Sequence, residues 1–359
     1  MKILIIGFAK IKYMPYLNLY LENLNTKDNE VHLVYWNRDE KKEDLNAVQS
    51  LWLHEFKCKQ EDEVARISKV KNFLKFKKHV KSILKEEFDF VIVLQTVTAV
   101  LLFDVLMAKR FKGNYIFDYR DCTYEKIKPY KYLVDKLVKN SKATFVSSPG
   151  FLKNLPECEK IKCVHNVLSE DLRFSQNEKL NKTHSEKIRI GFWGFLREEG
   201  VNLEIIKKIS KDQRFELHYY GREQKTACNL KDYVSKNQIN NVFFHGEYNP
   251  EEKYEFLKNT DIIHNIYCED SMLTAISNKF YDGLIFETPQ VCMVGSYMGE
   301  LVQKSNVGVV LNPETEDFGD SLYEYCNGID TVKFKNNCFV RCSEIKKEQD
   351  EASNILKTL

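Results

Sequence analysis

No excess of charge marks this chain. Its 54 lysines and arginines stand against 52 aspartates and glutamates, a formal net charge of +2 over 359 residues. Global charge therefore points to no nucleic-acid partner. No two of its ten cysteines form a CxxC pair. Neither Cys158 with Cys163 nor Cys338 with Cys342 is matched by histidine at zinc-finger spacing, so no metal site is expected. Runs such as QVCMV (290–294) use cysteine as a small hydrophobe, which suits reduced thiols. No window reaches the ~18 uninterrupted apolar residues of a membrane span. The opening MKILIIGFAK is too short in its apolar part for a signal peptide and has no small-residue cleavage site. The expected location is the cytoplasm.

What the chain does have is a hydrophobic fraction of 43%, enough for a packed interior in two domains. Apolar runs alternate with helical patterns. KILIIGF (2–8), EVHLVYW (30–36), FDFVIVLQ (88–95), NYIFDYR (114–120) and ATFVSS (143–148) read as strands. YMPYLNLYLENL (13–24) and YLVDKLVKN (132–140) read as helices. The alternation lapses in the polar stretch 169–187, which reads as a linker. It restarts with strands at 188–194, 215–221, 241–246, 261–267, 289–294 and 307–312. Helices are expected at 202–209, 250–260 and from 278. Strand–helix repeats of this kind make parallel sheets covered on both faces. The fold class is thus α/β, with two Rossmann-like domains, 1–168 and 188–340, facing across a cleft. Ligands of such sheets bind at the carboxyl ends of the strands.

Several residues fall at those ends. Gly7 and Phe8 follow the first strand, where glycine permits a tight turn and close ligand approach. The surrounding GFAKIK lacks the GxGxxG dinucleotide fingerprint. Gly194 ends the first strand of the second domain, and Arg197 follows in the loop. Its guanidinium suits a diphosphate clamp; the alternative is a solvated surface arginine. Gly221, Arg222, Glu247 and Tyr248 line the neighbouring strand ends, an edge suited to a flat nucleobase. In SNKFYDGLIFETPQV (277–291), a helix start carries Lys279 and, one turn in, Asp282. Helix N-terminal amides and Lys279 favour phosphate, and Asp282 can accept both hydroxyls of a ribose. The alternative is that Asp282 only stabilises the helix N-terminus. In DYRD (118–121), Arg120 and Asp121 are placed to touch donor sugar or acceptor, or else form a structural ion pair.

These runs resemble a known family. The two halves are similar to the GT-B fold, and IRIGFWGFLREEG (188–200), FELHYYG (215–221), NVFFHGEYNPEEKYEFLKNTDII (241–263) and SNKFYDGLIFETPQV resemble family 4 glycosyltransferases. FDYRD (117–121), FVSSPGFLKNLP (145–156) and VHNVL (164–168) resemble the first domain of its capsule and surface-polysaccharide members. The family pairs two glutamates eight positions apart. Asp282 stands at the second, the ribose-holding position, and Thr274 at the first. Phe195 and Glu199 stand where the family often has arginine and lysine, so Arg197 and Lys279 would supply the positive charge. The resemblance implies transfer of a hexosyl group from a nucleotide sugar, a UDP-sugar for preference, with retention and without an essential metal or other cofactor. It places Gly194, Gly221, Arg222, Glu247, Tyr248, Thr274, Ser277, Asn278 and Asp282 at the donor. Arg197, Lys279, Arg120 and Asp121 take the catalytic roles, and Gly7 and Phe8 lie on the acceptor side. It also implies that a C-terminal helix, 341–359, crosses back to the first domain.

The acceptor implied is a saccharide or a lipid-linked saccharide of surface polysaccharide biosynthesis. The stretch 65–87 carries Arg66, Lys69, Lys71, Lys75, Lys77, Lys78, Lys81 and Lys85 among Ile67, Val70, Phe73, Leu74, Val80 and Ile83. Such a basic amphipathic helix suits peripheral binding to the anionic inner face of the cell membrane, or simply packs its stripe on its own sheet. Two other readings share the sequence. One is a nucleotide-sugar epimerase, which needs an acid–base pair beside the sugar. The other is a noncatalytic, transferase-like binding partner, supported by the absence of an acid at Thr274.

Overall fold

The computed structural model describes residues 1–24, 28–60, 66–167, 182–249 and 252–359. The chain divides into two units: Met1–Leu168 with Lys347–Leu359, and Ser169–Lys346. Each is built on one wholly parallel sheet.

In the first unit the strands are β1 Lys2–Ile6, β2 Glu30–Asn37, β3 Trp52–Lys57, β4 Phe90–Leu94, β5 Tyr115–Tyr119, β6 Ala143–Val146 and β7 Ile161–Cys163. Their spatial order is β3-β2-β1-β4-β5-β6-β7. The central strands β4 and β5 are buried at every position, whereas the edge strand β3 is exposed or half-buried throughout. This is why β3 escapes a reading based on apolar runs: WLHEFK is half-buried at its four inner positions and exposed at both ends, so it needs no continuous apolar run. The helix expected at 13–24 spans only Leu17–Asn23, behind a short 3-10 turn at Ile11–Tyr13. Pro15 between them disfavours helical backbone in Met14.

The second unit has β8 Ile188–Trp193, β9 Phe215–Tyr220, β10 Val242–Phe244, β11 Ile262–Asn265, β12 Gln290–Met293 and β13 Gly308–Leu311. Their order is β10-β9-β8-β11-β12-β13. Both sheets therefore reverse direction after their first strand, between β1 and β4 and between β8 and β11. Such switch points open a crevice above the strand ends.

Most of the expected linker, residues 169–181, lies outside the described residues, as do Leu168, Pro250, Glu251 and Ala65. Residues 182 and 183 are docked on the second unit. The Lys182 amine donates to Thr288 Oγ1 at 2.7 Å and to the carbonyls of Leu257 and Thr260, and partial desolvation holds its pKa down to about 8. The last helix, Thr331–Lys357, starts in the second unit, and its residues from Lys347 group with the first. All ten cysteines are free thiols. No helix among the described residues is long and apolar enough to cross a membrane.

Candidate active site

The carboxyl ends of the second unit's strands carry most of the expected donor residues. Three strand-end glycines lie side by side there. Gly194 N donates to Tyr220 O at 2.9 Å, and Gly221 N donates to Gly246 O at 2.7 Å. A Cβ on Gly221 would lie 2.1 Å from Gly194 O, so the ends of β8 and β9 approach as closely as they do only because Gly221 has no side chain. Gly194, Gly221, Arg222, Glu223, Leu196 and Gly246 edge a shallow depression that Phe192 and Tyr219 also line. We expect Gly221→Ala to push the two strand ends apart and lower stability by about 1–3 kcal/mol. Urea melts compared with wild type check this; an unchanged midpoint would mean that the close approach is dispensable.

Lys279 and Asp282 sit three positions apart in the helix Asn278–Ile285, on one side of it. Its start is fixed by a relay of buried amides. Ser277 Oγ donates to Asn265 Oδ1 at 2.7 Å, Asn265 Nδ2 donates to Gln290 Oε1 at 2.7 Å, and Gln290 Nε2 donates to Phe280 O at 2.9 Å. The helix is thereby pinned to β11 and β12. Lys279 is buried, with Nζ donating to Tyr267 OH at 2.5 Å and lying 4.1 Å from the centre of the Phe192 ring. Burial, reinforced by the positive charge of Arg197 and opposed by Asp282, lowers its pKa to about 7. An amine in that state gains a full charge when an anion arrives.

Asp282 is also buried, and both its oxygens are engaged. Trp193 Nε1 donates to Oδ2 at 2.8 Å, and Lys253 Nζ donates to Oδ1 at 2.8 Å. Around them Phe256 stacks on Tyr220 at 4.3 Å and meets Trp193 at 5.3 Å and the edge of Tyr248 at 5.1 Å. Tyr248 is drawn into the same set: burial raises its pKa, with Asp282 adding to the effect. A ribose at Asp282 would share the carboxylate with the indole and the ammonium.

Arg197 is exposed on the loop between β8 and the helix Glu199–Ile209, its guanidinium 5.0 Å from the Phe195 ring. The loop itself is held from below. Asn202 Nδ2 donates to the carbonyls of Arg197 at 2.8 Å and Glu198 at 3.0 Å, and Asn202 Oδ1 receives Tyr219 OH at 3.1 Å and pairs with His264 Nε2 at 3.0 Å. His264 also accepts from Ile266 N through Nδ1 at 3.1 Å, and burial depresses its pKa to about 3, so the ring stays neutral. Glu198, in the left-handed region at φ 56°, reaches across the switch point to the amides of Cys268 and Glu269. Asn202 and His264 were legible in principle: a polar residue inside an apolar helix face or strand is buried only if it is hydrogen-bonded. Trp193, Tyr267, Lys253 and Glu198 carried no such signal.

Of the remaining expected donor residues, Ser277 stands at the N-cap position with its hydroxyl turned to Asn265, Thr274 is half-buried just beyond the short helix Asp270–Leu273, and Glu247 and Asn278 are exposed. Tyr248 and Glu247 do not border the glycine-edged depression.

In the first unit, Gly7 N donates to Val34 O at 2.8 Å. Phe8 turns its ring into a core of Trp36, Phe73 and Phe76, with centroids 4.9–5.1 Å apart, leaving only its backbone at the strand end. Arg120 is buried. Its Nε lies 2.6 Å from Asp118 and its guanidinium 4.5 Å from the Tyr16 ring, and Asp118 also accepts from Tyr20 OH at 2.6 Å. Asp121 is exposed in the following loop, with its carbonyl bonded by Thr96 Oγ1 at 2.8 Å. The DYRD acids are thus separated: Asp118 belongs to a buried ion pair and Asp121 to the surface.

No protein-family model and no curated protein sequence matches the chain. Solved structures do. Sucrose-phosphate synthase from Thermosynechococcus elongatus superposes with a TM-score of 0.74 at 11% identity, over 100% of this chain and 98% of that one. Anabaena HepE, solved in complex with UDP, gives a TM-score of 0.70 at 12% identity over 100% of both chains. WaaG, a glycosyltransferase involved in lipopolysaccharide biosynthesis, gives 0.65 at 11% identity over 99% of both. At these identities the likeness is one of fold. The chain has the GT-B fold that these glycosyltransferases share.

Proposed function

We propose that the protein is a retaining glycosyltransferase that moves a hexosyl group from a nucleotide sugar to a saccharide or lipid-linked acceptor in the building of a surface polysaccharide. The observation that carries this reading is the Lys279 amine, buried at the switch point against the Tyr267 hydroxyl and the Phe192 ring, three positions from Asp282 on the same helix. A tyrosine hydroxyl and aromatic faces compensate a buried ammonium only in part, and a diphosphate is the ligand that would offset the rest. In the reaction the bond between C1 of the sugar and the diphosphate oxygen breaks. The electron pair leaves with the nucleoside diphosphate. The acceptor hydroxyl bonds to C1, and its proton passes to the departing phosphate. Lys279 and Arg197 face the charge that develops, as preorganised donors do in such sites. Asp282 positions the ribose while keeping Trp193 in place. Arg120 and Asp121 mark the acceptor end of the first unit's sheet. UDP, the ligand solved with HepE, is the first nucleotide to test.

A thermal-stability screen with UDP, GDP, ADP and CMP, then with their sugars, tests the reading, because a ligand that binds only the folded state raises its melting point. One responding nucleotide supports a donor site and names its base. No response from any favours the noncatalytic reading, which the full engagement of Asp282 by Trp193 and Lys253 also supports.

A peripheral membrane role is part of the proposal. Within the basic helix, which spans Arg66–Ile83, Phe76, Val80 and Ile83 pack inward, while Val70 and Leu74 are each 56% exposed beside the exposed Lys71, Lys75 and Lys78. Lys77 and Lys81 are occupied by Asp104. We expect flotation with anionic but not neutral vesicles, and loss of that binding in Val70→Ser/Leu74→Ser. Equal recovery with both vesicle types, or none with either, would refute it.

A further inference from the structure

Away from the switch points, the first unit brings together three side chains of different chemistry. Cys163 ends β7, and His165 follows two residues later. Val164 N still bonds Val146 O at 2.8 Å, so the chain remains extended and the side chains at 163 and 165 leave it on the same side. Facing them is the last helix at Glu348. Cys163 Sγ lies 3.5 Å from His165 Nε2, and His165 Nε2 lies 2.7 Å from Glu348 Oε2. One donor atom from each residue falls within 4.8 Å of the others.

We propose that Cys163, His165 and Glu348 form a binding site for a divalent zinc ion. The donor set, one thiolate, one imidazole nitrogen and one carboxylate, selects zinc over magnesium or calcium, which prefer oxygen alone. The sulfur–nitrogen spacing is close to what zinc requires. Metal–sulfur and metal–nitrogen bonds of about 2.3 and 2.0 Å at a tetrahedral angle put sulfur and nitrogen roughly 3.5 Å apart. The same geometry puts nitrogen and oxygen roughly 3.3 Å apart, so the His165–Glu348 pair opens slightly as the ion enters. Glu348 is half-buried, while His165 is buried. On binding, the Cys163 thiol gives its proton to solvent and the sulfur bonds to the metal. Water completes the coordination from the exposed side.

Two further contacts join the last helix to the strand around the site. His165 N donates to Gln349 Oε1 at 3.0 Å, next to the Glu348 ligand, and Lys162 lies 4.0 Å from Glu351. The location argues for a structural rather than a catalytic ion. β7 is the outermost strand of its sheet, three strands from the β1–β4 switch point. An ion there would clamp the returning end of the chain, Lys347–Leu359, onto the unit with which it groups.

Cobalt is the probe that tests this, because a Co²⁺–thiolate bond gives a near-ultraviolet charge-transfer band that oxygen and nitrogen ligands do not. The full chain is stripped with chelator and titrated with Co²⁺, then competed with Zn²⁺. The expected result is one equivalent bound, a thiolate band, its displacement by one equivalent of Zn²⁺, and a higher melting point. Cys163→Ser should lose the band. Glu348→Gln, at a half-exposed position, should keep the band but bind at least about tenfold more weakly, since even the loss of outer-shell support costs 10- to 100-fold. No band in the wild type, or a band of wild-type strength in Cys163→Ser, overturns the site. Should Cys163→Ser fail to fold, wild-type affinity in Glu348→Gln overturns it equally.

Discussion

Lys279→Met should lower kcat/KM for the nucleotide sugar by about 10²- to 10³-fold, the usual loss when one preorganised donor to a developing negative charge is removed. The same variant should be at least as stable as wild type at neutral pH. Burial lowers the Lys279 pKa from 10.5 to about 7, so below pH 7 the folded protein carries a buried charge that the unfolded chain keeps in water. Between pH 7 and 10.5 the unfolded chain binds the extra proton, and stability rises with pH. Methionine removes that burden and still fills the space between Phe192 and Tyr267, losing only the hydrogen bond to the tyrosine hydroxyl. Activity and stability therefore move in opposite directions, which a merely structural lysine would not do. The pH dependence gives a second readout. The diphosphate of a nucleotide sugar does not titrate near neutrality, so above pH 7 donor binding must take up a proton at Lys279. Donor affinity should weaken by up to tenfold per pH unit above pH 7, and the slope should vanish in Lys279→Met. Calorimetry in buffers of different ionisation enthalpy measures the proton directly. A wild-type slope in the variant would assign the proton elsewhere.

Asp282→Ala should be the most destabilising single change at the site. It leaves the buried indole N–H of Trp193 without that acceptor and removes the carboxylate that pairs with the Lys253 ammonium. Breaking a buried pair in this way costs about 3 kcal/mol or more, roughly 10 °C in melting temperature for a unit of this size. Lys253 retains some access to solvent and relieves part of the loss. Asp282→Asn keeps an acceptor for Trp193 and should cost only about 1 kcal/mol. It is the variant for reading function: if the carboxylate holds the ribose, nucleotide affinity drops about tenfold or more in a protein that still folds. Wild-type affinity in Asp282→Asn would leave the residue as an anchor for Trp193 and Lys253 alone.

The two variants show how the sequence is informative at one range and silent at another. SNKFYDG places Lys279 and Asp282 three residues apart, and helical geometry alone puts them on one side of a helix. Nothing in that stretch says that Lys279 lies under Phe192 or that Asp282 meets an indole 89 residues earlier. The strand-end glycines divide in the same way. Gly194 and Gly221 are visible as breaks after apolar runs, but the contact that forbids a side chain at Gly221 depends on β8 and β9 being neighbours.

What the sequence determined by itself is local: the parallel-strand runs, most helices, the two-fold recurrence of the strand–helix pattern, and the glycines and charges at strand ends. These follow from burial periodicity within windows of ten residues or so. Edge strand β3, whose burial is partial, fell below that signal. Strand order, the depression of the Lys279 pKa, the double engagement of Asp282 and the meeting of Cys163 and His165 with Glu348 were decided only by tertiary structure. Each depends on atoms brought together across tens to hundreds of residues, and no short-range pattern records which strand ends become neighbours.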